Sequence, residues 1–182
     1  MQQPQDKPLE VRGLRLAYDR RDARVYDLPT ALPRALLVDV QDPVRDDDQA
    51  LARVLDPRFD PRRAAVVTSP VPGLAPGRGA LGAATLSRER PQRLDYDVAA
   101  RRGALLVMPD VDYPGWKASV DGRGVPLRRV DYLLRGVVVP AGRHRVELRY
   151  APASWTAGWI ISALTALALA AAAAVAVARR RR

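Results

Sequence analysis

The sequence predicts a mainly β fold: an antiparallel β-sandwich of jelly-roll-like type with one short helix, followed by a single transmembrane helix. Three observations carry this expectation. Apolar stretches of strand length recur at roughly 8–12-residue intervals, with turn signals between them. The chain has 16 Pro and 12 Gly against one Phe, a composition of turns and short strands rather than of packed helices. Residues 155–178, WTAGWIISALTALALAAAAAVAVA, contain no charge. At about 1.5 Å per residue they reach roughly 36 Å, more than the ~30 Å hydrocarbon core of a bilayer.

Residues 1–8 are polar and contain proline, and are expected to be a linker or disordered. A β-rich domain is expected over 9–153. Leu9 to Tyr18 and Ala23 to Leu28 read as strands around the charged turn Asp19-Arg20-Arg21-Asp22, and Ala35 to Val40 as a short buried strand. Asp46-Asp47-Asp48 can cap a helix running to Leu55; Ala50, Leu51, Val54 and Leu55 fall at helical spacing and Pro57 ends it. Residues 56–61 form a turn and Ala64 to Thr68 a strand. The Pro/Gly stretch 70–82 has no packing pattern and is the candidate boundary between two lobes, 9–69 and 83–153.

The second lobe reads as β throughout. In Arg93 to Ala99, Leu94, Tyr96 and Val98 alternate with Asp95 and Asp97, the pattern of a half-buried strand. Gly103 to Met108 is continuously apolar, hence a central strand. Trp116 to Val120 leads into Asp121-Gly122, a hairpin pair that favours positive φ. Val125 to Val130, Leu133 to Val139 and Arg143 to Tyr150 follow, the last two joined by Pro140-Ala141-Gly142.

Charge and composition exclude several functions. Of the net +10, four charges are Arg179 to Arg182; elsewhere acidic and basic residues are interspersed. That is an ordinary surface, not the basic stripe with interleaved aromatics that nucleic acid requires, so no nucleic-acid partner is expected. With no Cys there is no disulfide, thiolate site or cysteine nucleophile, and a lone His removes most His-based catalysis and any His-rich metal cluster. No metal and no cofactor is expected.

Trp155 and Trp159 stand at the start of the apolar run, where indoles prefer the headgroup boundary, and Arg179, Arg180, Arg181 and Arg182 close it. The four closing arginines outnumber and sit nearer than Arg143, Arg145 and Arg149 on the other flank. A cytoplasmic basic tail at 179–182 and an extracytoplasmic domain are therefore expected. The N-terminus, MQQPQDKPLEV, has no signal-peptide pattern. The chain is accordingly expected to be the end of a larger protein with further membrane helices, the other arrangement being a tail-anchored protein facing the cytoplasm.

Five elements occur in order after the apolar strand at Leu105: Tyr113-Pro114-Gly115-Trp116-Lys117, Val120-Asp121-Gly122, Val139-Pro140-Ala141-Gly142-Arg143-His144, Tyr150-Ala151-Pro152, and the apolar run. In this the chain resembles the C-terminal region of the bacterial YfhO-type membrane protein family. Val25-Tyr26 and Leu32-Pro33-Arg34-Ala35 are similar to the family's approach to that region. The resemblance implies a polytopic protein of the lipid-linked-sugar glycosyltransferase type, linked to glycosylation of cell-envelope polymers. It implies catalytic carboxylates in early extracytoplasmic loops, which this chain lacks, so no catalytic residue is assigned. Pro114, Gly115, Gly122, Pro140, Gly142, Tyr150 and Pro152 are the motif positions expected to shape the backbone.

Candidate binding residues are Tyr113, Trp116, Lys117, Asp121 and His144. Trp116 could stack on a sugar ring or anchor the sandwich core; His144 could act as a base or cap a turn. Asp110 and Asp112 could approach a cation, for which six to eight oxygens are wanted, or cap the turn before Pro114. Gly73, Gly77 and Gly79 lack the Lys-Ser/Thr of a phosphate loop. The expected function is accessory to envelope-polymer glycosylation, with membrane lipid and either an envelope glycan or the transmembrane core of a glycosyltransferase-like protein as partners. The alternatives are a membrane-anchored carbohydrate-binding module and a tail-anchored cytoplasmic adaptor.

Overall fold

The computed structural model describes residues 13–20 and 23–180. By contacts the chain divides into two units, 1–33 and 34–182. In the first, β1 (Arg15–Asp19) and β2 (Arg24–Asp27) form an antiparallel hairpin. The linker expected at 1–8, residues 9–12 of the strand expected from Leu9, and Arg21-Asp22 of the turn lie outside the described residues.

The second unit is an antiparallel sandwich. Its strands are β3 (Leu36–Val38), β4 (Val40–Pro43), β5 (Ala64–Val67), β6 (Gly82–Arg90), β7 (Arg93–Ala100), β8 (Ala104–Val111), β9 (Trp116–Val120), β10 (Arg123–Val125), β11 (Arg128–Val130), β12 (Leu134–Val139) and β13 (Gly142–Tyr150). One sheet has the order β10-β9-β13-β7-β6 and the other β11-β12-β8-β3. The pleat explains the core between them. Leu94, Tyr96 and Val98 of β7 and Val146 and Leu148 of β13 point one way; Leu106 and Met108 of β8 and Val137 and Val139 of β12 meet them. Each large side chain sunk in this way contributes about 1.5–3 kcal/mol relative to exposure.

The run Ala104 to Met108 is apolar at every position because β8 is covered on both faces. Its odd-numbered residues, Leu105 and Val107, pack with Val38, Val130, Ala65, Val67 and Val71 in a second cluster. That outer layer holds the parallel pair β4 and β5, joined through α1 (Asp47–Val54). Asp46 caps α1 as its position suggests, its carboxylate accepting the Gln49 amide at 2.8 Å.

Several expectations are refined. Ala35 to Val40 is broken at Asp39, which is 6% exposed. Its carboxylate accepts from the Gly77 amide and the Arg102 guanidinium at 2.9 and 2.8 Å, and the chain leaves one sheet for the β4–β5 pair there. Val125 to Val130 is likewise split, into β10 and β11 of different sheets, around Pro126-Leu127. β6 had no sequence signal of its own. Only Ala84, Leu86 and the preceding Leu81 reach the core, and a bulge between Leu86 and Arg88 breaks the alternation. The loop 70–82 belongs to the second unit, with Val71 buried and the Ala75 amide donating to Gly103 O at 2.9 Å.

After Tyr150, two residues lead into α2 (Ala153–Arg180). Over residues 157–180 its mean hydropathy reaches 2.4 and none of that stretch is buried. It is long and apolar enough to cross a membrane.

Candidate functional site

Strand β13 pairs with β9, so the motif residues fall into two groups at opposite ends of these strands. At about 3.4 Å per residue, the nine residues of β13 span roughly 30 Å. Near its C-terminal end, Tyr150 lies opposite Trp116 and Arg149 opposite Lys117.

This end is aromatic. The Trp116 and Tyr150 rings are 5.5 Å apart, and Tyr113 and Tyr150 are 6.5 Å apart. Trp116 is half-buried against the sandwich core, and the Arg135 guanidinium lies over its ring at 4.3 Å. Arg135 is itself buried and donates to Val111 O at 2.9 Å. A sugar stacking on that face of Trp116 would have to displace a fixed cation. Tyr113, by contrast, is 60% exposed.

Gly115 is where two of the motif elements meet. Its φ of +106° suits only glycine, and a Cβ there would stand 2.9 Å from the Tyr150 ring and 3.0 Å from Pro152. The Ala151 amide donates to Gly115 O at 2.7 Å. Tyr113 to Lys117 and Tyr150 to Pro152 thus form one joint, and α2 leaves from it with the Trp155 amide donating to Pro152 O at 3.1 Å.

The other end is a polar clasp. Asp121 and Gly122 take φ of 50° and 79°, making the turn of the β9–β10 hairpin. The Asp121 carboxylate meets His144 Nδ1 at 2.7 Å and accepts the Arg145 amide at 2.8 Å. His144 Nε2 lies 3.2 Å from Ala141 O. Both partners are acceptors, so imidazolium satisfies both at once. The hydrogen bond to Asp121 raises the His144 pKa against partial burial, with Ala141 O assisting. The bonds from His144 and then Arg145 hold Asp121 below the usual carboxylate range. Gly142, at φ 131°, leaves room for the imidazole, since a Cβ there would stand 2.9 Å from Nε2. Pro140 precedes this turn on the surface.

The sequence alone marks Tyr96 only as the apolar side of a strand's alternation, and Asp110 and Asp112 as cation ligands or turn caps. Tyr96 is fully buried and its hydroxyl has no partner among the described residues; burial, and next the charge of Asp110, push its pKa up to about 12. Asp110 lies 3.9 Å from Arg34, and its second oxygen is buried with no partner among the described residues, while the Asp112 amide donates to Leu133 O. No group of three metal-ligating side chains occurs among the described residues. An open trough of about 550 Å³ at the clasp end is floored by Gly82, Ala83 and Ala99 and flanked by Arg101 and Arg143.

Trp155 and Trp159 are 71% and 66% exposed at the start of α2; Arg179 and Arg180 end it. Arg181 and Arg182 lie outside the described residues. A β-sandwich whose last strand runs straight into such a helix defines a membrane protein with a folded domain at its bilayer end. Residues 83–162 match the family described as bacterial membrane protein YfhO, so this stretch is similar to a region of that family. No curated protein and no solved structure matches the chain.

Proposed function

We propose that this chain is the extracytoplasmic β-domain and last membrane helix of a YfhO-like protein, and that it serves envelope-polymer glycosylation without supplying catalytic groups. The observation that carries this reading is the joint at Gly115. Tyr113, Trp116, Tyr150 and Pro152, the residues that suggested the family, are used to fasten the sandwich to α2. A domain fastened this close to a membrane helix is suited to cover or shape a site on a neighbouring transmembrane core. The arginines closing α2 favour a cytoplasmic C-terminus.

Sidedness is the test. Reporters active on one side of the membrane only are fused before Met1 and after Arg182 of the expressed chain. The extracytoplasmic reading expects activity of the periplasmic reporter at the N-terminus and of the cytoplasmic reporter at the C-terminus. The reverse pattern supports the tail-anchored adaptor and ends the accessory reading for this chain as it stands.

A further inference from the structure

The joint end of the sandwich exposes apolar side chains that the core does not use. Val111 is 57% exposed, Tyr113 60% and Leu133 38%. They form one rim: Val111 pairs with Leu134 across β8 and β12, the Asp112 amide donates to Leu133 O at 2.7 Å, and Tyr113 lies beside Tyr150. Scattered exposed apolar residues need no explanation, but a contiguous set marks a surface that something covers.

What covers it follows from the connection to α2. Only Ala151 and Pro152 separate β13 from the helix, a reach of about 10 Å even when extended. That reach is fixed by the Ala151–Gly115 hydrogen bond and by Pro152 against Gly115. An apolar rim that close to the point where α2 enters a bilayer meets the bilayer surface. One neighbouring charge suits that place: Lys117 is exposed one position inward of the Trp116–Tyr150 pair and can reach phosphates, while Arg149 opposite it is paired with Glu147.

We propose that the rim of Val111, Tyr113 and Leu133 sits in the headgroup–acyl boundary of the bilayer that holds α2, so that the domain rests on the phospholipid surface as well as being tethered to it. The proposal rests on α2 being embedded, and the experiment separates the two. The natural chain has no Cys, so the single variants V111C, Y113C and L133C of the full chain each take one environment-sensitive fluorophore. The same is done with A166C in α2 and R123C in the β9–β10 hairpin. Labelled proteins are reconstituted in phosphatidylcholine–phosphatidylglycerol vesicles carrying a nitroxide near the headgroup or deep in the acyl chain, with circular dichroism confirming an unchanged fold.

Groups lying about 5–10 Å into the interface should lose roughly half or more of their emission to the shallow nitroxide. That loss is expected at positions 111, 113 and 133, with deep quenching at 166 and none at 123. If 166 is quenched but the rim labels behave like 123, the rim faces water or protein; the proposal is then overturned while the anchoring reading stands. If 166 is unquenched as well, both fail together.

Discussion

His144 and Asp121 stand 23 positions apart in sequence, yet each favours the charged form of the other. The pairing predicts how stability responds to pH. The folded-state pKa of His144 is raised above its ordinary 6.5, so its contribution is complete below that value and is lost as pH rises through the folded pKa. Asp121 is depressed below its ordinary 3.8, so its contribution is present above that value and lost as pH falls through the folded pKa. Thermal unfolding of the chain in detergent should therefore show Tm falling as pH rises above the ordinary histidine value of 6.5. In H144N that fall should be visibly shallower. An unchanged slope in the variant would mean the clasp is electrostatically silent.

Among the elements, the turn between β11 and β12 carries a cost that the fold tolerates. Asp131 is 6% exposed, takes φ 47°, and clasps β5 twice: its amide donates to Val66 O at 2.9 Å and its carboxylate accepts the Val66 amide at 2.7 Å. Burial outweighs that hydrogen bond and pushes its pKa up to about 6. A raised carboxyl pKa means stability is greatest below the ordinary 3.8 and declines as pH rises through about 6. D131N keeps an acceptor for Val66 and tolerates positive φ. It should raise Tm at neutral pH, by up to about 3 kcal/mol in stability, and flatten the decline between about pH 4 and pH 6. Destabilisation in D131N at pH 7 would show that the charge itself is needed.

The elements also show where sequence reading reaches its end. β8 was legible because burial on both faces writes an unbroken apolar run, and Asp121-Gly122 because few residues accept a left-handed turn. β6 was not, since an edge strand buries little and its bulge erases the period of two. The interspersed charges of 88–149 are sorted by the pleat: Arg88, Arg93, Arg145 and Arg149 share one face of the five-stranded sheet with Asp95, Asp97 and Glu147. Asp95, expected to face water, is 0% exposed because Arg93, Arg145 and Arg88 close over it. Burial raises its pKa, but the bonds from Arg93 and Arg145 outweigh burial and hold it low. Alternation reveals which face a residue takes but not which long side chains will fold over it.

For the whole molecule, the apolar run at 155–178 was read from charge alone, and α2 covers it and extends beyond it at both ends. Alkaline carbonate washing of membranes from expressing cells should leave the chain in the pellet, because a helix of this hydropathy does not leave the bilayer when ionic contacts are stripped. Release into the supernatant would show that α2 is not embedded. The convergence of the motif elements on Gly115 had no sequence signal beyond their order, since contacts between residues 35 positions apart, such as Gly115 and Tyr150, leave no local periodicity.

Strand β13 is also a spacer. With its C-terminal end pinned where α2 begins, its first residue lies roughly 30 Å away along the strand, nearly four Debye lengths at physiological ionic strength, where one is about 8 Å. The clasp, the Asp121-Gly122 turn and the Arg101–Arg143 trough lie at the end of the strand far from α2. Whatever meets that end does so at a distance from the start of α2 set by backbone geometry rather than by a tether of variable length.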